Sequence, residues 1–108
     1  MVTSNIQNDF QRLEQLYATG FQDVFLDNAI RKIVDRQIAR DEEDLKRVND
    51  ELAKFERQYG LTSVEFWQRF KTGQMSDTAD FMEWNAFCKM QQRITARLRI
   101  LQGGPIDE

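Results

Sequence analysis

The sequence predicts an all-α protein built on a long antiparallel, coiled-coil-like helical hairpin, with a short connecting helix and an N-terminal helix. Three observations predict this class. Residues 23–59 of the 108-residue chain contain no Gly and no Pro, and most of them favour helices. Apolar residues there recur three and four apart, which is the spacing of a coiled-coil seam. Eight of the twelve aromatic residues lie within residues 55–87, among many helix start and stop signals.

The first element is predicted within residues 1–22, as a helix over about 5–18 followed by a turn. Ser4 is a suitable N-cap, and Gln7 stands three residues later, where it can complete a capping box. Apolar residues follow at helical spacing, and Gly20 is a stop signal. These apolar positions are Ile6, Phe10, Leu13, Leu16 and Tyr17.

The second element is a long helix over residues 23–59. Its seam consists of Leu45, Val48, Leu52, Phe55 and Tyr59. Val34 and Ile38 continue the seam towards the N-terminus, but Asp41 also falls on a seam position and opens an acidic run that extends to Asp44. We favour a continuous helix with a local, solvent-exposed polar gap there; the alternative is a break and a turn.

The third and fourth elements are a short helix over residues 62–72 and a return helix over residues 77–102. Gly60 is suited to end the long helix, and Thr62 with Glu65 forms a capping box for the short one. Asp77 is the predicted cap of the return helix. An apolar stripe on that helix, from Trp84 to Leu101, is expected to face the seam, and residues 103–108 form a tail.

Part of the long helix carries more apolar surface than the hairpin can cover. Four residues would extend beyond the return helix, and we predict that they form an oligomer interface. They are Ile30, Ile33, Val34 and Ile38. The alternatives are that the N-terminal helix or another protein covers them.

Composition limits the classes of function. A chain of this length is expected to form a single domain, residues 1–108. The net charge of −3 gives no reason to expect nonspecific nucleic-acid binding, and no apolar run is long enough to span a bilayer. The N-terminus lacks a signal-peptide pattern, and one Cys excludes an intramolecular disulfide. We therefore expect a cytoplasmic protein that uses no membrane.

The chain offers little reaction chemistry. It has no His, no Gly-rich phosphate loop and no metal-ligand spacing, so we expect no enzyme, no cofactor and no metal. The acidic run from Asp41 could in principle bind a cation, but four consecutive helical residues point in different directions, which favours a solvated face. Cys88 is a candidate reactive thiol, although its apolar neighbours favour a buried, inert one.

Two charged groups on the return helix have alternative interpretations. Asp77, Asp80 and Glu83 lie three apart near its N-terminus, where they can cap the helix and complement its dipole, or bind a basic patch on a partner. A basic stretch follows further along, and it can either pair with the acidic long helix or contact phosphate. It consists of Lys89, Arg93, Arg97 and Arg99.

Residues 52–101 combine a Phe-Glu and a Tyr-Gly pair, a Ser-x-Glu-Phe helix start, a Gly-ended turn and an acidic Asp-Phe-x-Glu-Trp segment. The matching residues are Phe55, Glu56, Tyr59, Gly60, Ser63, Glu65, Phe66, Phe70, Gly73, Asp80, Phe81, Glu83 and Trp84. This pattern resembles the antitoxin-like proteins of small prokaryotic two-gene toxin–antitoxin modules. The resemblance implies a protein that binds and neutralises a cognate toxin.

Large aromatic residues and an acidic turn are the features that we predict to contact this partner. The predicted partner-binding residues are Phe66, Trp67, Phe70, Asp80, Glu83 and Trp84. The alternative function is a self-associating coiled-coil scaffold or adaptor, which the surplus apolar residues of the long helix favour. No DNA-binding motif is evident in the sequence.

Overall fold

The computed structural model describes residues 2–104, with side chains from Asn5 onward, and every regular element in that range is an α-helix. The helices are α1 (Val2–Ala18), α2 (Val24–Tyr59), α3 (Ser63–Lys71) and α4 (Ala79–Leu101). The all-α prediction and the helical hairpin, formed by α2 and α4, are confirmed. The last four residues of the predicted tail lie outside the described residues.

The chain divides into two compact units, Met1–Ile33 and Val34–Glu108, and the boundary falls within α2. The first unit contains α1 and the first turns of α2. Tyr17 Oη donates a hydrogen bond to the Asp27 carboxylate, and the Tyr17 ring meets Phe21 edge-on at 6.0 Å between ring centroids. None of the described side chains of this unit is fully buried. The sequence predicted one domain, and these contacts define two units within it.

The start of α1 differs from the prediction. The helix begins at Val2, so Ser4 lies inside its first turns rather than at the capping position before them. The side chain of Ser4 lies outside the described residues. At the other end of the unit, the Asp23 carboxylate accepts a hydrogen bond from the Leu26 backbone N–H at 3.0 Å, which satisfies one of the unpaired donors at the start of α2.

The second unit has an aromatic and aliphatic core centred on Trp84. The buried residues are Val48, Leu52, Phe55, Phe66, Trp84, Cys88, Ile94 and Leu98. The Trp84 ring stacks on Phe66 at 4.0 Å and on Phe55 at 5.4 Å between ring centroids. Its indole Nε1–H donates a hydrogen bond to Ser63 Oγ at 2.9 Å. One tryptophan of α4 thereby joins α2 and α3, as a buried indole with its polar group satisfied.

The turn between α2 and α3 follows the sequence signals. Gly60 has φ +64°, a conformation that glycine adopts without a steric penalty, and it ends α2 as predicted. The predicted capping box is confirmed, since Thr62 Oγ1 accepts from the Glu65 backbone N–H while the Glu65 carboxylate accepts from that of Thr62. The Ser63 N–H donates to Glu56 at 2.8 Å, so that α2 also helps to hold the start of α3.

The cap of α4 is Thr78 and not Asp77, as the sequence predicted. Thr78 has extended backbone angles, and its hydroxyl accepts a hydrogen bond from the Phe81 N–H at 3.1 Å. Both residue types favour the capping position, so two adjacent candidates leave its register open from sequence alone. The side chain that lies three residues before an unpaired N–H makes the cap.

Helix α2 continues through Asp41 without a break, but the predicted solvent-exposed gap at this residue is wrong. The Asp41 side chain is 1% exposed and accepts two hydrogen bonds from the Arg97 guanidinium, each at 2.8 Å. Gln37 donates a third at 3.1 Å. A carboxylate can occupy a seam position because a guanidinium on the facing helix pairs with both of its oxygens. The following acids, Glu42 and Glu43, are exposed.

Candidate protein-binding groove

A groove of about 1090 Å³ runs between α2 and α4 in the second unit, and no residue of α3 lines it. Its apolar lining residues are Val48, Ala53, Phe87, Met90 and Ile94. Val48 and Ile94 are buried, whereas Phe87 is half-buried and Met90 is 36% exposed. Two packed helices leave such a furrow between them where no third element covers it. We refer to this surface as the α2–α4 groove.

Charged residues of both signs border the α2–α4 groove. Several of them are already paired, as Arg47 with Asp44, Lys54 with Glu51 and Arg97 with Asp41. Glu83 and Arg93 also line it, and both are exposed. Within residues 5–104 neither of these two makes an ion pair, so they are available for charged groups on a partner.

The two largest residues that we predicted to contact a partner are core residues instead. Phe66 and Trp84 are each 0% exposed. Their rings stack on each other, and the Trp84 N–H is bonded to Ser63. The prediction that they bind a partner is therefore wrong for the folded chain, because closing the hairpin over α3 uses their whole surface.

The other predicted partner residues keep part of their surface. Trp67 and Phe70 are half-buried and pack against the core, and Lys71 Nζ lies 4.1 Å from the centroid of the Trp67 ring. Asp80 is half-buried and accepts hydrogen bonds from Tyr59 and Gln58. Its hydrogen bond to the Tyr59 hydroxyl raises the pKa of that tyrosine. The interpretation of Asp80 as a structural acid near a helix N-terminus therefore fits its contacts.

Glu83 is the one predicted partner residue that the structure places on the α2–α4 groove. It lies on α4, one turn before Phe87. The groove thus brings an acidic residue that the sequence singled out together with Phe87 and Met90, which it did not. Their signal was present in the sequence, since Phe87, Met90 and Ile94 follow each other three and four apart on α4.

The predicted oligomer interface is distributed over different environments. Ile38 packs against the buried core of the second unit, so its assignment to an oligomer interface is corrected. Val34 and Ile30 are half-buried, and Ile33 is 68% exposed. A seam residue next to the Asp41–Arg97 pair is covered within the chain, because α4 extends along α2 as far as that pair.

The chemistry of the remaining candidates is structural. Cys88 is 3% exposed, and burial, followed by the charge of Glu56, raises its pKa to about 11. The prediction of a buried thiol is confirmed, and at neutral pH this thiol stays protonated. Arg97 pairs with Asp41, which confirms for this residue the interpretation that the basic stretch pairs with the long helix.

Two further surveys concern residues 2–104. Within them no three acidic or Cys side chains come together as a metal site. No helix of the same range has both the length and the apolar character that crossing a membrane requires.

Comparison of the chain with family models, with curated proteins and with solved structures finds no match in any of the three.

Proposed function

We propose that this protein is a non-enzymatic interaction module of the cytoplasm that binds and neutralises a cognate toxin protein. The role comes from the resemblance of residues 52–101 to antitoxin-like proteins. The observation that carries the proposal is the α2–α4 groove, an open surface with an apolar lining and charged edges on the most extensively packed part of the chain.

The dimensions of the groove suit a helix. It extends on α2 from Asp44 to Arg57, which corresponds to about 20 Å of helix and so to roughly four turns of a partner helix. An amphipathic helix that lays its apolar face into such a groove is a common mode of peptide recognition. Met90 suits this role because a methionine side chain adapts to the shape of an apolar anchor.

The edges of the groove indicate the charge pattern of the partner. Glu83 would accept a basic side chain near the N-terminus of α4, and Arg93, nearly three turns further along, would accept an acidic one. Surface ion pairs contribute little affinity, but they fix the direction in which a helix lies. We therefore propose a partner helix whose basic and acidic residues are separated by about 15 Å.

Co-expression tests this function in the cell. Each gene next to this one is expressed alone and together with it, and both host growth and co-purification are measured. We expect one neighbour to stop growth when alone, and to be neutralised and co-purified by the wild-type protein. Met90→Glu should abolish both effects, since it introduces a charge into the apolar lining.

Met82→Glu is the matched control, because Met82 is a methionine of the same helix that is 58% exposed and does not line the groove. It should neutralise and co-purify as the wild type does. If no neighbour is toxic, or if Met90→Glu protects as well as Met82→Glu, the proposed function is wrong.

A further inference from the structure

The first unit carries a disproportionate share of the exposed apolar surface. Of twelve large apolar side chains that are exposed, seven lie in Met1–Ile33, the smaller unit. They are Ile6, Phe10, Leu16, Phe21, Val24, Phe25 and Ile33. A unit of this size without a buried side chain does not form a sufficient core by itself, and apolar surface concentrated in this way marks an interaction site.

The most exposed of these side chains belongs to a stripe on α2. Phe25 is 80% exposed and Ile33 68% exposed, and half-buried Ala29 lies midway between them. The spacing of four residues places the three on one face of the helix. Asp27, which binds Tyr17, lies about 160° around the helix axis from Ala29, so that contact leaves the stripe uncovered. We call this surface the 25–29–33 stripe.

We propose that the 25–29–33 stripe is a homodimer interface, occupied by the same stripe of a second copy. The two α2 helices cross with a two-fold axis at Ala29. Each Phe25 then packs against Ile33 of the other copy, and the two Ala29 side chains face each other. A two-fold interface requires a self-complementary surface, and a large–small–large stripe fulfils that requirement because the small central residue lets the helices approach closely.

The exposed area agrees with a dimer. Ile6, Phe10, Phe25 and Ile33 are 50, 61, 80 and 68% exposed. At roughly 180 Å² for a fully exposed large apolar side chain, they leave about 450 Å² of apolar surface uncovered on each copy. A standard interface buries about 800 Å² per partner, of which about 56–65% is apolar. The first unit therefore provides the apolar area of one such interface.

This interface differs from the oligomer seam that the sequence predicted, which included the core residue Ile38. It also lies outside the α2–α4 groove, whose α2 residues begin at Asp44. Dimerisation and partner binding thus use separate residues, and each can fail without the other.

Molar mass in solution tests the dimer. Sedimentation equilibrium of the purified wild-type protein is measured from about 1 to 100 μM, together with Phe25→Glu/Ile33→Glu. We expect twice the chain mass of 12.8 kDa for the wild type and a single chain for the double variant. Helical circular dichroism of both should be equal, because the substituted side chains are exposed. Val64→Glu, at a 70% exposed residue of α3, is the control and should stay dimeric. A monomeric wild type, or a dimeric double variant, would overturn the proposal.

A disulfide test locates the axis. Ala29→Cys and Arg31→Cys are each made in a Cys88→Ala chain, and both are oxidised under the same conditions. We expect a covalent dimer from Ala29→Cys only, because its Cα atoms meet at the crossing point while residue 31 lies about 160° around the helix from residue 29. Equal cross-linking of the two variants, or none in Ala29→Cys, would overturn the two-fold arrangement.

Discussion

Asp41 is the residue at which local pattern and tertiary packing disagree most. It opens a run of four acids, yet its side chain is buried against Arg97. The Arg97 hydrogen bonds hold the pKa of Asp41 below its usual value, and they outweigh the opposing effect of burial. The sequence shows the charges of both residues, but not that two side chains 56 positions apart meet.

Removing one member of this pair should destabilise the second unit. Arg97→Ala leaves a buried carboxylate without its partner, so we expect the melting temperature to fall by about 10 °C or more. Asp41→Leu/Arg97→Met should recover most of that loss, because an apolar pair needs no compensation for buried charge. Thermal circular dichroism measures both variants. Arg93→Ala, which removes an exposed arginine of the same helix, should change little; an equal loss there would show that the pair is not the cause.

The same pair should make stability depend on acid pH. The pKa of Asp41 is lower in the folded chain than its ordinary value of 3.8, so the folded state binds its proton less readily than the unfolded state does. The contribution to stability is therefore complete above about pH 4 and is lost as the pH falls through the folded pKa. Urea midpoints between pH 6 and pH 2 should fall more steeply for the wild type than for Asp41→Leu/Arg97→Met. Parallel curves would contradict this origin of acid sensitivity.

At the scale of elements, the connection between α2 and α4 was largely predictable. Gly60, Thr62 and Glu65 are local signals, and the turn and capping box follow them. The cap of α4 moved by one residue because Asp77 and Thr78 are both suitable and only the backbone path chooses between them. The burial of Phe66 and Trp84 was not predictable either, since aromatic residues favour cores and interfaces alike, and their pairing across α3 and α4 decides which.

The Ser63–Trp84 hydrogen bond is the polar contact that fixes α3 on α4. Ser63→Ala leaves the buried Trp84 N–H without its acceptor, so the free energy of unfolding should fall by about 1–3 kcal/mol. Urea unfolding, followed by tryptophan fluorescence, measures the change. Ser76→Ala, at an exposed serine in the turn before α4, is the matched control and should be within about 0.5 kcal/mol of the wild type. Equal stability of Ser63→Ala would show that the bond contributes nothing.

At the scale of the whole molecule, core and surface are divided unequally between the two units. The second unit buries a contiguous core, whereas the first leaves most of its large apolar side chains exposed. The sequence correctly indicated that apolar residues remain on the long helix after the hairpin has closed, and Ile33 is one of them. It did not identify Ile38 as core or Phe25 as exposed, because helical spacing defines the faces of a helix without showing which face a neighbour covers.

The central claim is that the α2–α4 groove binds a partner protein, and titration calorimetry tests it most directly. The purified product of the neighbouring gene is titrated into the wild-type protein, Met90→Glu and Met82→Glu, after circular dichroism has shown equal helix content. We predict binding to the wild type and to Met82→Glu with the same affinity, and at least about 30-fold weaker binding to Met90→Glu, the effect of losing a central interface residue. Equal affinity of Met90→Glu and Met82→Glu would contradict the groove as the binding site.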